Sequence, residues 1–258
     1  MAIPDPVRIL TSNDYLFRHF AEIGVGDLFV GRLRFRPGEE GLLHDLALRG
    51  LICVPSLLSQ LLSRSKTLQA RILHQFMPPH THAVHDPHDL RAVVQQGDSR
   101  SAWLTKMNGK NGGMGVCYWR SLEDVHTASV LNTLPYPFVL QRFLEGEIVD
   151  LRVIVIGDYV EAYRRSSSGS FRHNLHFGGS SQAVALAGDE LDLCRAVMKR
   201  GRFPYAHLDL LRSDQGLYCS EINLRGGLHG ARIGPDEYRQ RIEAVHRRLA
   251  AEMGGILP

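Results

Sequence analysis

Short apolar runs, broken by glycine and proline, set the pattern of the chain. Residues 7–12 (V-R-I-L-T-S) and 51–55 (L-I-C-V-P) read as brief buried strands, and residues 41–49 between them carry leucines at helical spacing that stop at Gly50. This predicts a small β/α opening unit. From Ser56 to Phe76, leucines, Ile72 and Phe76 recur at helical intervals until Pro78-Pro79 ends the run. A strand over 81–84, a helix beginning near Asp86 and a strand over 102–107 follow, and the loop N-G-K-N-G-G-M-G leads into a further strand over 116–119.

After a helix from about Ser121, Pro135 and Pro137 mark a break before the apolar stretch 138–143. The spacing then turns to that of strands: L-R-V-I-V-I-G-D-Y-V-E-A-Y-R-R predicts two, around a G-D turn. A polar, glycine-rich segment (166–181) precedes a helix over 189–200. A-H-L-D-L-L-R and L-Y-C-S-E-I-N-L predict a hairpin across S-D-Q-G, and a charged helix from Pro235 to Met253 follows.

Composition narrows the class. With 258 residues, 44% hydrophobic and 22% charged, the chain has material for a substantial core and is not of a disordered kind. A net charge of +3 without a basic run gives no reason to expect a nucleic-acid partner. No apolar run approaches the ~20 residues of a membrane span, and the prolines and Asp5 among residues 1–8 do not make a signal peptide. Cys53, Cys117, Cys194 and Cys219 show no C-x-x-C pairing and read as reduced thiols, so the expected compartment is the cytoplasm.

Three groups of residues suggest chemistry. Lys106 precedes the loop Asn108–Gly115, whose glycines at 109, 112, 113 and 115 let the backbone approach a ligand closely and present N–H groups to phosphates. Its strand–loop–strand setting is neither a P-loop nor a dinucleotide fingerprint, both of which open a helix. Asp209 lies on one strand of the last hairpin, with Glu221 and Asn223 two apart on the other and therefore on one face. Two carboxylates and an amide oxygen are hard ligands suited to Mg²⁺ beside phosphates. Arg152, Arg164, Arg165 and Arg172 could hold negative charge that develops on transferred phosphoryl or acyl-phosphate oxygens. His74, His80, His82, His85 and His88 are the competing constellation; a zinc site there is weighed against a solvated strand edge and helix start.

Together these stretches, with F-R-H-N-L-H-F-G-G and S-E-I-N-L-R-G-G-L-H-G, resemble the ATP-grasp ligases and most closely their RimK-like glutamate ligase branch, from about Ser65 to Ala231. The resemblance implies an α/β ATP-grasp fold: a short N-terminal β/α unit (1–64), a small flap lobe (65–140) and a catalytic lobe with an antiparallel sheet (141–258). It implies a ligase that activates a carboxylate as an acyl phosphate and passes it to an amine, with release of ADP and phosphate. A phosphotransferase or ATPase using the same site, or a nucleotide-binding regulatory protein, are the alternatives. ATP would be held by Lys66, Lys106, the flap glycines Gly112, Gly113 and Gly115, the hinge Gln141, Arg142, Phe143 and Leu144, and Glu147 at the ribose. Asp209, Glu221 and Asn223 match the Mg²⁺ ligands, for two ions with Mn²⁺ as a substitute. Arg152, Arg165, Arg172 and Asn174 match positions near the γ-phosphate and acyl phosphate. The partners implied are one carboxylate and one amine, on small molecules, peptides or protein termini. The chain departs from the family in its short opening unit, in Lys110 within the flap, in Arg225-Gly226 for serine-proline, and in His229 for a frequent acid. Arg225 is expected to anchor a substrate carboxylate, with His229 assisting the amine.

Overall fold

The computed structural model describes residues 7–97, 101–110, 114–166 and 180–254. The opening unit is a parallel sheet of three strands, β1 (Arg8–Leu10), β2 (Asp27–Val30) and β3 (Ile52–Val54), in that order. Helices α1 (Asn13–Arg18) and α2 (Glu40–Leu48) accompany it, and α2 stops at Gly50, whose positive φ of 88° suits glycine. The middle strand β2 escaped the sequence reading. It is only four residues long and buried on both faces, so it shows no alternation.

The apolar run 56–76 is not one helix. It forms α3 (Leu57–Leu62) and α4 (Lys66–Ile72), each begun by a serine: Ser56 accepts from Ser59 N–H, and Ser65 from Leu68 N–H. Two N-cap side chains inside one apolar period restart the helix, and the restart puts Lys66 at the first position of α4.

The small lobe is a four-stranded antiparallel sheet in the order β4 (Thr81–Val84), β7 (Phe138–Arg142), β5 (Trp103–Met107), β6 (Val116–Trp119). Helices α5 (Pro87–Gln96) and α6 (Leu122–Val130), capped by Asp86 and Ser121, cover one face over Val84, Leu90, Trp103 and Phe138. The catalytic lobe is a five-stranded antiparallel sheet in the order β10 (Ser180–Val184), β9 (Tyr159–Ser166), β8 (Val149–Ile156), β11 (Tyr205–Ser213), β12 (Gly216–Asn223). Strand β10, like helix α1 and strand β2, is an element that the sequence reading did not contain. Helix α7 (Gly188–Gly201) and helix α8 (Pro235–Glu252) pack on this sheet. At its far end α8 also buries Ala250 against Leu28, Val30 and Val54, so the opening unit shares a core with the last helix.

Candidate active site

The hairpin β11–β12 is positioned by burial of Leu208, Leu210, Ile222 and Leu224, which drives the alternate residues to the opposite face. Asp209 pairs directly with Glu221, and His207 with Asn223, so the three candidate metal ligands fall on one face. A register shift follows Asp209, where Leu210 pairs with Cys219. Asn223 Nδ2 donates to Glu221 Oε1 at 2.9 Å, which turns its amide nitrogen inward and leaves the carbonyl oxygen as a ligand.

Arginines from the neighbouring strands converge on Asp209. Arg152 Nε is 2.5 Å from Asp209 Oδ1 and its Nη2 3.2 Å from Oδ2. Arg165 Nη2 lies 2.6 Å from Asp150 Oδ1 and 3.3 Å from Asp209 Oδ2, so it bridges two carboxylates. Burial alone would raise the Asp209 carboxyl, but the Arg152 and Arg165 charges outweigh it and hold the group below its ordinary value. Asp209 Oδ1 is buried without an aligned hydrogen bond despite its close approach to Arg152. A cation would suit such an oxygen.

Glu221 is served from the other side of the cleft. Lys66 Nζ is 3.0 Å from Glu221 Oε1 and 3.1 Å from the carbonyl of Lys110 in the flap loop. Gln69, one turn further along α4, holds that geometry: its amide donates to Ile222 O at 2.9 Å and accepts from Ile222 N–H at 3.1 Å. A buried glutamine thus completes the edge of β12 as a further strand would. Asn108 joins the flap base to α4 through Thr67, accepting from its N–H at 3.3 Å and donating to its hydroxyl at 3.1 Å. Lys106 is buried, with Nζ 3.3 Å from Ser220 Oγ; desolvation lowers its pKa, with the Lys66 charge acting the same way and Glu221 opposing.

The hinge residues Arg142, Phe143 and Leu144 line a cleft of about 270 Å³ with Pro79, His80, Glu145 and Gln215. Gln141 itself is buried within β7, and its Oε1 has no hydrogen bond. The N–H groups of Arg142 and Phe143 are donated to the carbonyls of His80 (3.2 Å) and Ala102 (2.9 Å). Glu147 is exposed, with Arg164 3.8 Å away. Arg225 and His229 are exposed on the loop after Asn223. Gly112, Gly113, Arg172 and Asn174 lie outside the described residues.

Sequence reasoning missed His207. This buried imidazole donates to or accepts from Tyr238 Oη at 2.9 Å, and its Nδ1 faces Gly226 without a polar partner. Desolvation, helped by the Arg152 charge, pushes its pKa down to about 4, so the ring is neutral. A methyl group on Gly226 would come within 2.5 Å of His207 Nδ1 and 2.8 Å of Arg152 Nη1. The glycine departure noted in the sequence is therefore explained by the histidine two residues before Asp209.

Among the described residues no group of three or more His, Cys, Asp or Glu side chains could hold a metal, so the histidines near residue 80 form no such site. At the Asp209 face two carboxylates need the Asn223 carbonyl to complete a set, and three oxygens of this kind fit a hard divalent cation.

Antiparallel catalytic sheet, flap hairpin and helix-borne lysine define an ATP-grasp fold. The profile of the RimK-like ATP-grasp domain matches residues 59–244, and the chain belongs to that family. Its relatives include a probable alpha-L-glutamate ligase of Mannheimia succiniciproducens, 31% identical over 81% of this chain and 72% of the relative. The ribosomal protein bS6–L-glutamate ligase of Escherichia coli is 26% identical over 67% of this chain and 60% of its own length. In fold the chain resembles D-alanine–D-alanine ligase from Bacillus anthracis, with a TM-score of 0.61 at 17% identity over 95% of this chain and 86% of that one. The chain is accordingly an ATP-grasp carboxylate–amine ligase, of a family that uses ATP and divalent metal ions. Among the described residues no helix is long and apolar enough to cross a membrane.

Proposed function

We propose that this chain joins the amine of an acidic amino acid, L-glutamate or a close relative of it, to a carboxylate on a small molecule, peptide or protein. The observation that supports the ligase chemistry is the direct pairing of Asp209 with Glu221, between Arg152 and Arg165 on one side and Lys66 on the other; the acidic amino acid is suggested by the glutamate-ligase relatives. The three-part division at 64/65 and 140/141 belongs to the same proposal.

In this reading Lys66 and Lys106 hold the phosphates of ATP, and the flap, tied to α4 by Asn108, covers them. Adenine is read at the hinge by Leu144 and by carbonyl oxygens, because the N–H groups of Arg142 and Phe143 are already donated. Asp209, Glu221 and Asn223 would hold two Mg²⁺ ions, or Mn²⁺ in their place, which neutralise phosphate charge when bound. A substrate carboxylate oxygen bonds to the γ-phosphorus as ADP leaves. The amine then bonds to the acyl carbon, phosphate leaves, and the ammonium proton is lost. Arg152 and Arg165 would hold the oxygens of the acyl phosphate, with Arg172 and Asn174 completing that site. Their rigidity helps: each is fixed by a carboxylate before any substrate arrives. His229 can take the ammonium proton.

The test is ADP release with Mg–ATP against amino acids and acidic peptides, singly and in pairs. Turnover that needs both a carboxylate and an amine, and is lost in Glu221→Ala, is expected. ADP release indifferent to the amine would favour a phosphotransferase or ATPase and overturn the reading.

A further inference from the structure

The segment that follows β2 alternates cleanly: Leu33 and Phe35 are buried, while Arg32, Arg34 and Arg36 are exposed. It has no ladder partner of its own, yet its backbone is held on both sides. Buried Gln60 accepts from Leu33 N–H at 2.6 Å and donates to Gly31 O at 3.3 Å. Asn13 donates to Arg32 O at 3.0 Å and accepts from Arg34 N–H at 2.6 Å. Arg64 donates to Phe35 O at 3.0 Å and to Leu33 O, with its guanidinium 4.0 Å above the Phe35 ring. So much bracing for an irregular exposed segment suggests that it presents something at a fixed place.

Its three arginines are not equivalent. Arg34 is paired with Asp14. Arg32 has no ion pair or side-chain hydrogen bond among the described residues. Its segment meets the loop of Arg225 at the corner between α3 and α4. Ser63 accepts from Leu224 N–H at 2.9 Å, and Leu224 immediately precedes Arg225; the next residue, Arg64, carries the 31–36 segment. Two consecutive residues thus hold the two loops next to each other. In keeping with this, both the Arg32 and Arg225 charges act on the phenol of Tyr238, and Arg32 also acts on Tyr205. Arg225 is likewise without an ion pair among the described residues. Its loop is fixed at its other end, where buried Glu161 accepts from Arg232 N–H at 2.5 Å and Ile233 N–H at 3.2 Å.

Arg32 and Arg225 are thus two exposed guanidinium groups without an ion pair among the described residues, on braced segments that the Ser63–Arg64 corner holds side by side. We propose that Arg32 and Arg225 form one carboxylate subsite, shared between the opening unit and the loop after Asn223, that takes a substrate acid group other than the one that reacts. The subsite rests on the ligase reading and sharpens it: the amine substrate must carry a free carboxylate. A planar guanidinium can grip such a group with two parallel hydrogen bonds, which lysine cannot reproduce.

The experiment is calorimetric binding of L-glutamate, and of glutamine amide as a ligand without a carboxylate, to the full chain loaded with Mg²⁺ and a non-hydrolysable ATP analogue. Wild-type protein should bind L-glutamate and not glutamine amide. Arg32→Ala and Arg225→Ala should each weaken L-glutamate binding about tenfold or more while the affinity for the ATP analogue stays within about twofold. Arg32→Lys should recover only part of the loss. Arg32 is exposed, and unchanged melting of Arg32→Ala would show that the fold is intact. Equal binding of the two ligands, or L-glutamate binding indifferent to Arg32→Ala, overturns the subsite even in an active ligase. Absence of ADP release with every acid–amine pair overturns the ligase reading and takes the subsite with it.

Discussion

Gly226→Ala is the substitution whose cost can be worked out most directly. The φ of Gly226 is not in the left-handed region, so the backbone itself tolerates alanine. The added methyl would stand 2.5 Å from His207 Nδ1, 2.8 Å from His207 Cγ and 2.8 Å from Arg152 Nη1. Neither neighbour yields easily, because His207 is held by Tyr238 at 2.9 Å and Arg152 by Asp209 at 2.5 Å. Overpacking of this kind costs about 1–3 kcal/mol. For a chain of this size each kcal/mol lowers the melting temperature by about 2–4 °C. Urea titration of the wild type, Gly226→Ala, His207→Ala and the double variant gives the coupling. His207→Ala should be destabilising alone, through its cavity and the stranded Tyr238 hydroxyl. The double variant should nevertheless be more stable than the sum of the single effects by about 0.5–3 kcal/mol. Gly226→Ala within about 0.5 kcal/mol of wild type, or strict additivity with His207→Ala, would refute the packing argument.

Arg165→Met takes one partner from each of Asp150 and Asp209, the latter still paired with Arg152, and should cost about 1–3 kcal/mol in urea denaturation; a loss under about 0.5 kcal/mol would mean that the Arg165 pairs add nothing measurable. For Glu161, burial opposes ionisation, but hydrogen bonds from Arg232 N–H, Tyr159 and Ile233 N–H outweigh it and hold the carboxyl below its ordinary 4.5. A depressed carboxyl stabilises the fold above that value and loses the contribution as pH falls through the folded pKa. The stability gap between wild type and Glu161→Gln should therefore be full at pH 7 and shrink below pH 4.5; a gap that widens in acid would reverse the assignment. Lys66→Ala removes the partner of Glu221 and the tether of the flap carbonyl, so hydrogen exchange around Lys110 should quicken and Mg–ATP should raise the melting temperature less. Unchanged exchange there would contradict the tether.

Much of this was legible in the sequence because the informative residues sit on regular elements. The two-residue spacing of Glu221 and Asn223 fixed their common face, and the apolar residues around them fixed which face was buried. Asp86 and Ser121 announced helix starts by their side-chain chemistry and Gly50 a helix stop by its freedom to take a positive φ, and the structure bounds those helices there. What remained hidden was short or non-local. Strand β2 has no alternation to read. The division between α3 and α4 depends on Ser63 to Ser65, which leave the leucine period intact. Gln69 meets the edge of β12 across 153 residues and His207 meets Gly226 across the whole β11–β12 hairpin, and no local pattern encodes such partners. The serine-proline replacement at 225–226 was visible as a departure, but its cause lay in another strand.

The central claim is that a substrate carboxylate becomes an acyl phosphate at the face formed by Asp209, Glu221 and Asn223. Transfer of ¹⁸O reports on that step directly. An acid substrate labelled with ¹⁸O in its carboxylate is turned over with Mg–ATP and its amine, and the released phosphate and nucleotide are examined by ³¹P NMR and mass spectrometry. ADP without label and one ¹⁸O per phosphate are expected, with no transfer in Glu221→Ala. Label in AMP, or unlabelled phosphate accompanying amide formation, would contradict the claim.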